Sequence, residues 1–182
     1  MLEITVPYSE VFDEATGCFI EIEEATLHLE HSLLSVSKWE AKWHKPFIKR
    51  KDEPPHSKEE ILDYIRCMTL TKNVDPLVYT VLTNNNIQDI TKYIENPMTA
   101  TTVRDIPGAP FRREVVTSEL IYYWMITLGI PIECEKWHIN RLIMLIKVCS
   151  AKMNPSKMSP QAIMTQNRQI NEARKKALGT KG

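Results

Sequence analysis

The feature that most constrains this chain is the long apolar segment at residues 113–153. Apolar side chains recur there at spacings of three and four residues, which predicts two amphipathic helices. Thr117 or Ser118 can cap the first helix. Gly129 predicts a left-handed turn after it, and we expect the second helix to resume near Glu133. The segment therefore predicts a central helical hairpin with the core residues Leu120, Trp124, Leu128, Trp137, Leu142, Leu145 and Ile146.

Shorter helices are predicted upstream of this hairpin. Residues 32–44 form a helical pattern in which Trp39 and Trp43 lie four positions apart, so both indoles are expected on one buried face. Ser57 and Glu60 have the spacing of a capping box, which predicts the start of another helix. These helices are expected to pack onto the central pair as a bundle. Further short helices are predicted from Asp75-Pro76, with 84–86 as a breaker, and over 87–95.

The first 30 residues alternate in the manner of β-strands. The alternating stretches are residues 2–6, 18–23 and 26–30, with a turn expected at 14–17. Three short strands predict a small antiparallel meander whose acidic face is exposed.

Size and composition favour one main domain with a small satellite element. The chain has 182 residues, of which 43% are hydrophobic and 25% are charged. We predict an α+β, mainly α-helical fold, a helical bundle around a central helical hairpin with a small N-terminal antiparallel β-sheet. The expected divisions are a β-meander packed on the body at 1–31, the helical bundle core at 32–153, and a basic polar C-terminal helix or tail at 154–182.

Charge is balanced overall but unevenly distributed. The chain has 23 basic and 23 acidic residues, which disfavours a nucleic acid or an anionic membrane as partner. The first 30 residues hold eight acids and no Lys or Arg, whereas Glu172 is the only acid from Lys147 onward. The helix predicted near 160–178 is polar nearly all round, so it projects into solvent or is completed by a partner. The predicted contact surfaces are the edge of the N-terminal strands, the loop 97–112, and Arg168, Arg174, Lys175 and Lys176.

No motif indicates catalysis, a cofactor or a metal. The patterns GxxxxGK[ST], GxGxxG, GxSxG and HExxH do not occur. His28 and His31 point to opposite faces of a strand, which is poor geometry for a shared metal. Cys134 and His138 lack the second pair that a zinc site needs, and we expect His138 to be buried and hydrogen-bonded. We therefore predict a protein that is not an enzyme and that needs no cofactor or metal.

The cysteines and the hydropathy favour an intracellular protein. Cys18, Cys67, Cys134 and Cys149 are widely spaced among apolar residues and are expected to be reduced core thiols. No apolar run reaches the roughly 18 residues of a membrane span, and the N-terminal sequence lacks the pattern of a secretory signal.

Three sequence runs resemble a known group of proteins. They are VVTSELIYYWMITLGIPIECEKWHINRLIMLIKVCSAKM, LEHSLLSVSKWEAKWHKPF upstream of it, and NRQINEARKKALGTKG at the C-terminus. Together they resemble small proteins of tailed bacteriophages that are encoded among the morphogenesis genes and grouped with the tail assembly chaperones. The words SELIYYWM and KWHINRL are the most specific, and the resemblance covers nearly the whole chain.

The resemblance implies a siphovirus chaperone that binds the tape measure and tail tube proteins in the cytoplasm of the infected host. Two other interpretations stay open. One is a structural component of the virion neck or tail, in which copies of the chain join in a ring. The other is a nucleic-acid-binding accessory factor that uses the basic C-terminal helix. The resemblance carries no catalytic residues.

Overall fold

The computed structural model describes residues 1–13, 17–49, 53–101 and 115–153, together with residues 164, 168, 171 and 172. Helices account for most of the regular structure, beside a small antiparallel β region, so the predicted α+β, mainly helical class is confirmed. Residues Met1–Cys149 form one compact unit, and Ser150–Gly182 form a second.

The described residues form four strands, five α-helices and two 3-10 helices. The strands are β1 (Leu2–Val6), β2 (Ser9–Asp13), β3 (Cys18–Ile22) and β4 (Ala25–Leu29). The α-helices are α1 (Leu33–Trp43), α2 (Lys58–Met68), α3 (Asn84–Glu95), α4 (Ser118–Thr127) and α5 (Ile139–Met153). The 3-10 helices are Pro76–Thr80 and Ile132–Lys136. None of these described helices is long and apolar enough to cross a bilayer.

The strands form a nested antiparallel ribbon, and the prediction of a three-stranded meander is wrong. β2 pairs with β3, and β1 pairs with β4. The prediction missed β2 because its apolar residues Val11 and Phe12 are adjacent rather than alternating, which hides the period of two. One face of the β1–β4 ribbon is buried, and its core residues are Ile4, Val6, Leu27 and Leu29.

Helix α1 packs against three other described elements. It contacts α2, α4 and the 3-10 helix at Ile132–Lys136. Ser32 caps its start by accepting a backbone N–H, and His44 ends it in the left-handed region at φ 53°. Trp39 is fully buried, and its indole N–H donates to the backbone oxygen of Glu60 at 2.9 Å. α1 therefore packs against both α2 and α4.

The predicted hairpin at 113–153 is correct at its first helix and wrong at the start of its second. Thr117 caps α4, and Gly129 adopts the expected positive φ of 64°. The chain then forms a 3-10 helix, and α5 begins only at Ile139 instead of near Glu133. The delay has a non-local cause, because the backbone N–H of Ile139 donates to the oxygen of His31 at 2.7 Å and holds the preceding residues extended.

Trp137 is the predicted core residue that the structure places at the surface. Its side chain is 37% exposed, and the guanidinium of Arg141 lies 4.4 Å from its ring centre. The prediction of burial is wrong because Trp137 lies on extended backbone before α5 and so outside the apolar stripe of that helix. Of the other predicted core residues, Trp39, Trp124, Leu142 and Ile146 are buried, and Trp43, Leu120, Leu128 and Leu145 are half-buried.

Helices α2 and α3 both begin with capping boxes. The predicted pair of Ser57 and Glu60 is confirmed at the start of α2. The prediction that residues 84–86 break a helix is wrong, because they form the first turn of α3. Thr83 caps that turn, and the Asn86 side chain accepts the backbone N–H of Thr83 in return. The short helix predicted to start at Asp75-Pro76 is present as a 3-10 helix, and the Asp75 side chain accepts the N–H of Leu77 at its start.

The four cysteines are free thiols in different environments. Cys134 is buried, Cys67 and Cys149 are half-buried, and Cys18 is exposed, contrary to the expectation that all four lie in the core. Cys18 faces solvent because it lies at the start of β3, next to the turn of the ribbon.

Candidate protein-contacting surface

The end of the ribbon presents an aromatic and acidic surface, which we call the hairpin face. It consists of Tyr8, Glu10, Phe12, Phe19 and Glu21. In the register of β2 and β3, Phe12 lies opposite Phe19, and Glu10 lies opposite Glu21. The two phenylalanines are 52% and 67% exposed. Two large apolar side chains therefore lie side by side at the surface.

The period of two in a strand fixes which side chains form this face. Val11 and Ile20 lie opposite each other on the other side of the ribbon and are half-buried, and Ile22 is buried against the core. Because successive residues of a strand point to opposite faces, burying these three forces Phe12 and Phe19 outward. Their exposure follows from the register of the ribbon.

The two phenylalanines also stabilise each other. Their ring centres are 5.2 Å apart and the ring planes meet at 60°, in an edge-to-face arrangement. Such a pair contributes about 0.5–1.5 kcal/mol beyond the area it buries. The pair holds the apolar surface in one place, which favours binding because less side-chain entropy is lost on contact.

The hairpin face carries two carboxylates, those of Glu10 and Glu21. Glu10 and Glu21 are directly opposed, and like charges in this position destabilise a ribbon. The Tyr8 hydroxyl donates to Oε1 of Glu10 at 2.9 Å, and this hydrogen bond raises the pKa of Tyr8. Among the residues that the structure describes, no Lys or Arg forms an ion pair with Glu10 or Glu21.

The rest of the predicted strand edge is partly occupied. The backbone N–H of Leu70 donates to the oxygen of His28 on β4 at 2.8 Å. On β1, the Asn86 side chain donates to the oxygen of Thr5 at 3.0 Å. Within the described ranges, β2 and β3 pair only with each other. The edge available to a partner is therefore the β2–β3 end of the ribbon.

A cluster of buried polar side chains lies between β4, α2 and the start of α5. His31 Nδ1 hydrogen-bonds the Tyr64 hydroxyl, and burial lowers the pKa of His31 to about 3. His138 Nε2 donates to the oxygen of Tyr93 at 3.0 Å, while its Nδ1 accepts the N–H of Asn140 at 3.3 Å. Burial also lowers the pKa of His138. The prediction of a buried, hydrogen-bonded His138 is confirmed, and its two bonds fix the neutral form.

A small cavity opens beside this cluster. Its volume is about 290 Å³, and its lining includes Lys136 and Arg141 together with Trp137. Among the described lining residues Glu30 is the one carboxylate, and it accepts a hydrogen bond from the Tyr93 hydroxyl at 2.7 Å and pairs with the amino group of Met1. Burial raises the pKa of Tyr93. The Tyr93 hydroxyl, the Glu30 carboxylate and the Met1 amino group thus bond to each other at the edge of the cavity.

Buried carboxylates join α1 to its neighbours, and these were missed by the sequence reasoning. The oxygens of Glu40 accept the backbone N–H groups of Phe47 at 2.8 Å and Ser118 at 2.7 Å. Burial alone would raise the pKa of Asp63, but hydrogen bonds from Lys42 and Trp43 lower it. These groups stabilise the helical packing.

Glu60 is held by three donors at the start of α2. The hydrogen bond from Lys45 is the main reason that the pKa of Glu60 falls to about 2, and the backbone N–H of Ser57 and the ring of His56 add to it. The carboxylate closes the capping box and ties α2 to the segment that follows α1, which is a structural role.

The basic residues predicted to contact a partner lie at the C-terminus. Arg168 is helical and its side chain is 83% exposed, with Nε 3.2 Å from Oε1 of Glu172. Arg174, Lys175 and Lys176 lie outside the described residues, as do most of the predicted final helix and the loop beyond Thr101. The pair Phe12 and Phe19 was not singled out from sequence, although apolar residues beside acids in short strands were the available signal.

Comparisons with known proteins give no relative from which a role could be transferred. No protein family, no curated protein and no solved structure matches the chain. The interpretation of the hairpin face therefore depends on its own chemistry.

Proposed function

We propose that this chain is a non-enzymatic morphogenesis protein of a tailed bacteriophage, a tail assembly chaperone that binds tape measure and tail tube proteins before they assemble. The observation that carries the proposal is the exposed pair of Phe12 and Phe19 on the hairpin face. Adjacent exposed aromatic residues are typical of protein-contacting surfaces. The sequence resemblance to tail assembly proteins supplies the class of partner.

The hairpin face suits a chaperone for physical reasons. Phe12 and Phe19 offer apolar area to a client segment that would otherwise aggregate. The edges of β2 and β3 can accept an extended segment by strand addition, in which main-chain hydrogen bonds give affinity for many sequences. Glu10 and Glu21 keep the ribbon charged and discourage pairing between two identical ribbons.

The test is co-expression of the chain with the tape measure protein of its source phage. We expect the double substitution Phe12→Ser and Phe19→Ser to weaken recovery of the tape measure protein at least about tenfold, because central aromatic anchors carry much of the binding energy. Quantitative co-purification through a tag on the chain measures this.

The matched control removes an exposed aromatic side chain on α4. Tyr123 is 61% exposed, and Tyr123→Ser should leave recovery unchanged. Both variants should unfold cooperatively near the wild-type temperature. Full recovery with the Phe12 and Phe19 variant, or equal loss with the control, would overturn the assignment of this surface.

A second candidate is a structural component that forms a ring in the neck or tail. The observation that favours it is the separation of charge, with the acids near the N-terminus and the bases near the C-terminus. Surfaces of opposite charge on one chain favour head-to-tail contacts, which close into rings when the rotation between copies allows it.

A further inference from the structure

We propose that the hairpin face of one copy binds the basic C-terminal segment, residues 147–182, of a second copy. This inference uses the surface on which the proposed function rests, but it concerns the purified chain alone and needs no phage partner. The contact sets Arg168 of one copy against Glu10 and Glu21 of the other, and Met164 against the pair of phenylalanines.

Charge complementarity is the first argument for this occupant. The first 30 residues carry eight acids and no Lys or Arg, whereas residues 147–182 carry eight Lys and Arg and one acid. Opposite patches of this kind accelerate encounter and fix the orientation of the partners. The two ends of the chain therefore attract each other between copies.

The local electrostatics of the hairpin face give the second argument. Glu10 and Glu21 lie directly opposite each other in the ribbon, where like charges repel, and neither forms an ion pair with a described Lys or Arg. A guanidinium placed over both carboxylates would remove this repulsion and form charge-assisted hydrogen bonds. The face is thus built to gain from a cationic partner.

The spacing of exposed groups gives the third argument. Met164 and Arg168 are both helical and exposed. Residues four apart in an α-helix lie on one face, about 6 Å apart along its axis. Phe12 and Glu10 lie two residues apart on one strand, roughly 7 Å apart. An apolar group and a charged group are therefore matched in order and spacing on the two surfaces.

The chemistry of the two matched positions is also favourable. A methionine sulfur packs well at the edges of aromatic rings, which the Phe12 and Phe19 pair presents. To bind the hairpin face, Arg168 must give up its ion pair with Glu172. An exposed ion pair of that kind contributes little to stability, so its loss costs little free energy. Because the contact joins different surfaces on the two copies, it can be repeated from copy to copy.

The test is sedimentation velocity of the full chain at low and high salt. We expect the wild type to self-associate with increasing concentration at about 50 mM salt and to dissociate at about 500 mM, because the contact is between exposed charges. The variant Glu10→Lys with Glu21→Lys, and separately the variant Arg168→Glu, should each weaken association at least about tenfold. A chain that carries all three reversals should associate again.

The control makes the same change of charge elsewhere on the surface. Glu95→Lys with Glu133→Lys alters two exposed acids outside the hairpin face and should leave the association constant within about twofold of wild type. A wild-type chain that stays monomeric at low salt would overturn the inference. So would reversals with no effect, or a triple variant that fails to recover while it remains folded by circular dichroism.

The sedimentation experiment and the co-purification experiment can fail independently of each other. Loss of self-association with normal recovery of the tape measure protein would leave the chaperone role standing, since no phage protein is present in the sedimentation experiment. Normal self-association with no recovery of the tape measure protein would overturn the chaperone role and retain the contact between copies.

Discussion

Buried polar residues hold this fold together more specifically than its apolar residues do. Glu40 joins α1, the segment after it and the start of α4 through the two oxygens of one carboxylate. A buried carboxylate is costly unless it is hydrogen-bonded, so each of these bonds restricts the helices to one arrangement. His31 and His138 do the same between the sheet and the helices as neutral rings.

His31 makes stability depend on pH in a defined direction. Its pKa is lowered from 6.5 to about 3 in the folded chain, mainly by burial and secondarily by His138. Between these values the unfolded chain binds a proton that the folded chain does not, so stability falls as pH falls. We expect His31→Gln to make the stability slope shallower by about 1.4 kcal/mol per pH unit between about pH 4 and pH 6.

Urea unfolding at a series of pH values measures this slope. His44→Asn is the matched control, because it removes an exposed histidine from a left-handed position that asparagine tolerates. The slopes are compared instead of the absolute stabilities, because His31→Gln also loses the hydrogen bond to Tyr64 and is therefore less stable at every pH. Identical slopes for wild type and His31→Gln would contradict the prediction, because they would show that the His31 ring takes up a proton equally in the folded and the unfolded chain over this pH range.

Among the helices and strands, the caps can be predicted from the sequence, whereas contacts between distant segments cannot. The caps Ser57 and Thr117 could be identified in the sequence, because a cap bonds to a backbone group only three residues away. The start of α5 cannot be identified in the sequence, since it depends on the backbone hydrogen bond from Ile139 to His31. β2 is hard to predict as well, because its adjacent apolar residues Val11 and Phe12 hide the period of two and only the register with β3 reveals the strand.

The candidate site shows the same limit. The acidic character of the N-terminal strands is plain in the sequence, but the pairing of Phe12 with Phe19 and of Glu10 with Glu21 exists only once the register is known. Glu40 and Ser118 are 78 residues apart, so their bond carries no sequence signal. Periodicity predicts which face of an element is apolar, and it does not predict which distant group that face meets.

The position of α1 among the helices predicts a contrast between two tryptophans. Trp39→Ala should reduce the free energy of unfolding by about 3–5 kcal/mol, because it leaves a cavity in the core and removes the bond to Glu60. Trp137→Ala should cost less, about 1–3 kcal/mol, since 37% of the residue is exposed and its removal loses part of a buried surface and the contact with Arg141. Chemical denaturation of both variants measures the difference. Equal losses in the free energy of unfolding would contradict the prediction, because they would show that Trp137 contributes as much to the core as Trp39 does.

At the scale of the whole molecule, charge and apolar surface are combined at the hairpin face. The described part of the chain places two exposed phenylalanines beside carboxylates on the β2–β3 ribbon. The opposite charge lies in the sequence of the C-terminal segment. Both proposals use this face, so contact between copies and binding of a tail protein would exclude each other.

The proposed chaperone role is tested by quantitative mass spectrometry of purified mature virions alongside the infected-cell lysate. A chaperone acts during assembly and is released. We therefore expect the chain to be abundant in the lysate, where it co-sediments with tape measure protein, and absent from finished particles. A fixed number of copies in every particle would contradict the chaperone and identify the chain as a structural ring component.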